Sequence, residues 1–326
     1  MKMKNIISAG DFIDIYQKLL HKRPSFFLKK LHISSTSRVI NTWDANENPP
    51  IHWWSIPKVN ERWNKIITGE PNMDFPDYVI NKYLKNKQKL RMISPGCGTG
   101  HTEIKFAKYN CFSRIEGFDL SSSRIHLANK SSKKLGLNNL FFSVEEAHKH
   151  NFRSNKYDIV LFNSSLHHFN NLKIILEKTY NSMKYDGLLI INEYTGPNRF
   201  QWTDEQLKKA NHYLNKIPFQ YRKFWQSNRI KKKIYRPGLL RMILSDPSEA
   251  VNSEEILPQI RKKFKKLEEK PYGGNLLHLI FKDISHNFIE NKNDINKILN
   301  FLFKAEDTFI EKNNQSDFIF GVYTKR

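Results

Sequence analysis

Between Leu90 and Tyr194 short apolar runs alternate with amphipathic stretches, a rhythm that predicts strand and helix in turn. Leu90–Ser94 reads as a buried strand, followed by a glycine loop and a helix over Thr102–Lys108. "RIEGFD" (114–119) is a second strand, and "SSSRIHLANKSSKKLG" (121–136) a helix with serine capping candidates that stops near Gly136. "NLFFSVEE" (139–146) and "YDIVLFNS" (157–164) are the third and fourth strands. "NLKIILEKTYNSMK" (171–184) is an amphipathic helix closed by the turn signal "YDG", and "LLIINEY" (188–194) is the fifth strand. Near-continuous apolar strands between helices predict an α/β fold, a doubly wound parallel sheet covered on both faces.

The flanks break the rhythm. Residues 1–88 hold Trp43, Trp53, Trp54 and Trp63 and read as an N-terminal cap of helices and loops. After the core (89–195), residues 196–316 read as a helical insertion or lid with one sheet strand near 265–272. Within it, 203–262 is expected to be mainly helical, with starts at "TDEQ" (203–206) and "NSEE" (252–255) that resemble capping boxes. "NLLHLIFKDI" (275–284) and "INKILNFLFKAEDTFIEK" (295–312) carry helical periodicity, and "DFIFGVYTK" in 317–326 is a final strand.

Composition adds one oddity. Lys and Arg number 54 against 32 Asp and Glu, a net charge of +22. Such a balance makes nucleic acid or an anionic membrane conceivable partners. The charge is spread along the chain, however, and abundant Lys, Asn and Ile suit compositional drift; nucleic acid is therefore not favoured. The short basic runs "RIKKKIYR" (229–236) and "RKKFKK" (261–266) read as solvated faces. Two cysteines, Cys97 and Cys111, make neither a disulfide framework nor a zinc spacing, so a reducing, cytoplasmic setting is expected and no metal. No run reaches the ~20 apolar residues of a membrane span. The oligomeric state is not encoded in any pattern.

The first strand runs into "SPGCGTG" (94–100), where Gly96, Gly98 and Gly100 leave room for backbone against a ligand. In open parallel sheets ligands bind beyond the carboxyl ends of the strands, where strand order reverses. Asp119 ends the second strand, where a carboxylate can accept from both hydroxyls of a ribose. The loop lacks the Gly-x-Gly-x-x-Gly spacing that cradles a pyrophosphate, and it lacks the lysine and hydroxyl of a P-loop. A nucleoside without a pyrophosphate is the ligand expected.

Taken together, Gly96-Cys97-Gly98-Thr99-Gly100, "GFDLS", "YDIVLFN" and "SLHHF" resemble the S-adenosylmethionine-dependent methyltransferases of the Rossmann-like class, over about residues 90–195. "NEYTGPNRFQW" (192–202) and "DPSEAVNSEEILP" (246–258) further resemble a bacterial subgroup with a helical insertion after the fifth strand. The resemblance implies a seven-stranded, mostly parallel sheet and S-adenosyl-L-methionine as cofactor. It places Gly96 to Gly100 under the methionine part, Asp119 on the ribose and Leu120 on the adenine. Glu146 with Ala147 falls at the adenine amine, with Glu145 an adjacent alternative, and the backbone carbonyl of Asn163 faces the amino group. Ser94 stands where the family usually carries an acid, and Glu103 is the residue expected to compensate. Arg62 is a candidate for the methionine carboxylate, and the tryptophan-rich "WWSIPKVNERWN" either covers the cofactor or packs on the sheet.

Methyl transfer is an in-line displacement in which the protein positions the acceptor and can remove its proton. His168 and Glu193, beyond the fourth strand and at the end of the fifth, are the catalytic candidates, with His167 beside them. Tyr194, Asn198 and Arg199 are the substrate-side candidates. The expected acceptor is a small molecule, methylated at oxygen or nitrogen; an RNA methyltransferase and an inactive cofactor-binding partner protein are the alternatives. If Asp119 grips the ribose, Asp119→Ala weakens S-adenosylmethionine binding by at least about tenfold in calorimetry. Unchanged affinity removes Asp119 from the site.

Overall fold

The computed structural model describes residues 6–13 and 52–326, so Trp43 lies outside the described residues. Seven strands form one sheet in the order β3-β2-β1-β4-β5-β7-β6. They are β1 (Leu90–Pro95), β2 (Phe112–Asp119), β3 (Leu140–Val144), β4 (Tyr157–Asn163), β5 (Met183–Tyr194), β6 (Phe264–Gly273) and β7 (Phe318–Lys325). The first five are mutually parallel, and β7 runs antiparallel between β5 and β6. Strand order reverses beside β1, which pairs with β2 on one side and β4 on the other. The apolar rhythm predicts the parallel strands, and the seven-stranded, mostly parallel order is the one the resemblance to Rossmann-like methyltransferases implies.

The continuous apolar runs have a direct cause. Because side chains alternate across a strand, Met92, Ile159, Leu161, Ile190, Phe320 and Val322 fill one face. Their neighbours Ile93, Val160, Phe162, Leu189, Ile191 and Tyr323 fill the other. Helices α1 (Pro57–Thr68), α2 (Phe75–Val79) and α3 (His101–Ala107) cover the first face, with α9 (Leu277–Phe281) and α10 (Asn293–Asn313). Helix α5 (Leu172–Ser182) and α8 (Ile256–Lys263) cover the second. Helix α4 (Ser122–Lys134) follows β2, capped by the Ser121 side chain. Cap, sheet and insertion share one core, in which Trp53, Val59, Met92, Ile190, Leu277 and Phe320 belong to a single cluster. Each such side chain contributes roughly 1.5–3 kcal/mol by leaving water.

Three expectations are corrected. "YDG" lies inside β5, which begins at Met183 paired with Tyr157, and a register shift between Tyr157 and Ile159 absorbs the irregularity. The insertion is less helical than its pattern suggested. Helix α6 (Asp204–Leu214) has the full Thr203/Gln206 capping box, but 215–238 is mostly irregular until α7 (Leu239–Ser245). "NSEE" opens a 3-10 turn (Ser253–Glu255) that runs straight into α8, so the helix starts where expected, but Asn252 makes no side-chain cap and the capping box does not form. The hydroxyl of Ser253 donates to Gly196 O at 2.8 Å, a tertiary contact that fastens this start.

The basic runs also have structural uses. Lys231 is buried, and its ammonium donates to Leu279 O, Ile280 O and Lys282 O at 2.7–3.0 Å, closing the carboxyl end of α9. Arg236 pairs with Asp204, Arg261 with Glu269, and Lys263 with Glu177. Among the described residues no helix is long and apolar enough to cross a membrane. Lys231→Met keeps the stem but strands buried carbonyls, and should lower unfolding free energy in urea by about 2–4 kcal/mol. A change below about 0.5 kcal/mol places that lysine's role elsewhere.

Candidate active site

The loop after β1 turns back on itself with Gly96, Gly98 and Gly100 at φ of 71°, 56° and 72°. Gly100 is the tightest: a Cβ there would stand 2.3 Å from Cζ of Phe142, so the ring of β3 fixes both the glycine and the start of α3. The loop is tied to the second strand by carboxylate. Asp119 accepts from Gly98 N at 3.0 Å through one oxygen and from Ser121 N at 2.9 Å through the other. The acid expected at position 94 is supplied from the helix. Ser94 Oγ donates to Glu103 Oε1 at 2.6 Å, and both residues are buried. Burial pushes the Glu103 carboxyl up to about 7, helped by the charge of Asp119 and opposed by the Ser94 hydrogen bond. Burial, with the charges of Glu103 and Asp119, raises the Cys97 thiol well above the ordinary range.

Of the residues that the resemblance assigns to a nucleoside, Leu120 is half-buried in the turn after Asp119, and Ala147 is buried. Glu146 pairs with Lys149 at 2.7 Å. Glu145 accepts from Ser143 Oγ at 2.6 Å and meets His150, whose ring stacks on Phe118. At the end of β4, Asn163 Nδ2 donates to Thr102 Oγ1 and Asn163 Oδ1 accepts from Asn192 Nδ2, both at 2.8 Å. Its side chain thereby locks α3 to the strand tips. Arg62 lies elsewhere: it pairs with Asp307 at 2.6 Å and covers the ring of Phe303. Arg124, which drew no attention in the sequence, lies over the loop, its Nη1 3.2 Å from where a Gly98 Cβ would be. The signal available was a cation in the first turn of the helix that follows the acid. Trp53 and Trp63 pack against each other, Phe318 and, respectively, His278 and Tyr272, so they belong to the core.

The turn after β4 is organised by Glu193, fully buried at the end of β5. Its Oε1 accepts from Ser165 N at 2.6 Å and Leu166 N at 2.7 Å, and its Oε2 lies 2.7 Å from Nδ1 of His167. Glu193 is thus a positioning residue for the turn after β4. Burial disfavours the charged form of His167, but Glu193, Glu249 and Asp246 outweigh it and raise the imidazole above its usual range. His168 is driven the other way, well below that range, by burial and the charges of His167 and Arg124. Its Nδ1 lies 3.2 Å from Ser248 Oγ. Burial also raises Glu249 to about 7.

The remaining substrate-side candidates fasten the insertion. Tyr194 is buried and its hydroxyl donates to Pro197 O at 3.0 Å. Asn198 Oδ1 accepts from Glu254 N at 3.1 Å. The Arg199 guanidinium donates to Asp246 O, Pro247 O and Glu249 O, and Val251 N donates to His167 O. The structure therefore brings His167, His168, Glu193 and the 246–251 loop together, while Arg199 is used in closing that loop, Asn198 in holding Glu254 and Tyr194 in holding its own turn at Pro197.

Residues 86–301 match the methyltransferase-domain family, and the chain belongs to that family. It is 23% identical over 127 residues to the uncharacterized methyltransferase YcgJ of Bacillus subtilis, covering 39% of this chain and 47% of that one. It is 23% identical to a malonyl-[acyl-carrier protein] O-methyltransferase of Bacillus cereus, covering 42% and 49%. The chain thus spans about half the length of these curated relatives. Among solved structures, geranyl diphosphate C-methyltransferase of Streptomyces coelicolor, crystallised with Mg2+, geranyl diphosphate and S-adenosyl-L-homocysteine, has the same fold. The TM-score is 0.51 at 11% identity, covering 90% of this chain and 98% of that one. The site suits S-adenosylmethionine: the left-handed glycines leave backbone bare beside β1, and Asp119 and Arg124 flank it.

The buried pair at the base of this loop has a pH signature. The folded state holds Glu103 near 7 against an ordinary 4.5, so its protonated form is the favoured one. That contribution is complete below the ordinary value and is lost as pH rises through about 7, on the order of 3 kcal/mol in all. Glu103→Gln, neutral throughout, should lose less thermal stability than wild type between about pH 5 and pH 8. Parallel melting curves for the two proteins would exclude a raised Glu103.

Proposed function

We propose that this chain transfers a methyl group to oxygen or nitrogen of a small molecule, a metabolite, sugar or lipid precursor, held between the turn after β4 and the insertion. The observation that carries this reading is the latch itself. Arg199, Asn198, Ser253 and Val251 bind the two arms of the insertion to each other and to His167, beyond the tips of β4 and β5. A wall fixed there encloses a compact acceptor. Bound S-adenosylmethionine supplies the activated methyl group. The chain's part is to hold that cofactor by Asp119 and the glycine loop, to exclude water, and to present a base. A neutral imidazole at His168 carries a lone pair able to receive an acceptor proton, and Glu193 holds the neighbouring His167 in place.

The internal use of Lys231, Arg236, Arg261 and Lys263 lowers the weight of the +22 charge and hence of the RNA reading. The Ser94–Glu103 pair similarly lowers that of the inactive reading, because it restores an acid beneath the loop. The test supplies S-adenosylmethionine labelled in its methyl group with panels of hydroxyl- and amine-bearing metabolites, sugars and lipid precursors, and separately with transfer and ribosomal RNA. Label is expected in the low-mass fraction. Label in RNA, or tight cofactor binding without turnover on any panel, overturns the proposal.

A further inference from the structure

We propose that His167, His168 and Glu249 form a binding site for a divalent transition-metal ion beside the acceptor. Each offers a ligand atom, and these atoms all lie within 4.8 Å of one another. His167 Nε2 stands 3.7 Å from Glu249 Oε1, a separation that one ion can bridge with ordinary bonds of about 2.0–2.2 Å to each.

The surroundings are those a metal-binding histidine needs. A ligating imidazole is held through its other nitrogen by a carboxylate or its relay, which sets the tautomer and directs the lone pair. Nδ1 of His167 is held by Glu193, whose second oxygen is fixed by two backbone amides. Nδ1 of His168 meets Ser248 Oγ, and that hydroxyl donates to Asp246 Oδ1 at 2.6 Å, so the hydroxyl oxygen accepts from the ring. Both rings are thus backed by a carboxylate, one directly and one through a serine. Asp246 is buried and its Oδ2 has no hydrogen-bond partner among the described residues.

Charge points the same way. Buried Glu193 and Asp246 and half-buried Glu249 bring three carboxyl groups to one cluster, whereas the Arg199 guanidinium spends its hydrogen bonds on main-chain carbonyls. Two imidazoles and one carboxylate suit Zn2+, Fe2+, Co2+ or Mn2+ rather than the all-oxygen shells of Mg2+ and Ca2+. Three protein ligands leave a coordination position open. Cation binding stands without the proposed function. Its consequence does rest on that reading: an acceptor hydroxyl at the open position would release its proton to bulk water more easily, and His168, held as a ligand, would give up the role of base described above.

The full chain, stripped with EDTA and exchanged into metal-free buffer, is titrated with ZnCl2 by calorimetry and with CoCl2 by visible absorption. One equivalent is expected to bind, with d–d bands of a four- or five-coordinate Co2+ complex. Glu249→Gln and His167→Ala should each weaken binding by about 100-fold, and Glu193→Gln by about 10–100-fold. His212→Ala, on α6 away from the cluster, should leave it unchanged. S-adenosylhomocysteine affinity, measured on every variant, separates a lost site from a lost fold. Wild type that takes up no more metal than the Glu249→Gln, His167→Ala double variant overturns the proposal and leaves a plain imidazolium–carboxylate pair. Stoichiometric metal without S-adenosylhomocysteine binding would sink the enzymatic reading and leave this one standing.

Discussion

Glu193 is the residue on which the turns beyond β4 and β5 depend. It sits on β5, paired in register with Ile319 of β7, where no water reaches it. A carboxylate in such a place is tolerated only if its oxygens are fully engaged, and here two amides and an imidazole engage them. The same bonds dictate the path of the chain after β4. Ser165 and Leu166 must point their N–H groups into the sheet, and His167 must follow with its Nδ1 toward the acid. His168 then falls beside Ser248, and the 246–251 loop closes over both. One buried carboxyl group engaged by two amides and an imidazole thus organises three segments far apart in sequence.

The cofactor side obeys a related economy. A loop that passes close to a ligand has few side chains of its own, so its shape is imposed from outside: Phe142 against Gly100, Asp119 against the amide of Gly98, and Ser94 with Glu103 beneath. The acid that the family carries on the strand is here carried on the helix, nine residues later, and reaches the same neighbourhood through a hydroxyl. A hydrogen-bonded row from Thr102 through Asn163 and Asn192 to Tyr272 crosses the strand tips and joins both halves of the site. Neutral amides suit that position, because each both donates and accepts and leaves no buried charge.

Most of the sheet was legible in the sequence because a strand covered on both faces admits only apolar residues. From β1 to β4 the expected limits agree with the structure to within two residues. Where tertiary contacts compete with local signals, the pattern misled. "YDG" looked like a turn but extends β5, and Asn252 makes no cap where Ser253 is tied to the carbonyl of Gly196. The tryptophans of the cap announced burial, which Trp53 shows, but not the surface they would pack against.

The sequence by itself determined the alternating sheet, the glycine turn and the acid at the end of β2, since each depends on residues close in the chain and on backbone geometry that few residue types allow. Only the tertiary structure decided which acid faces which histidine. Glu193, His167 and Glu249 span more than 80 positions, and their meeting follows from strand order and from the latch between 196–200 and 246–254. Local periodicity carries no record of such distances, because it reports only which face of an element is dry.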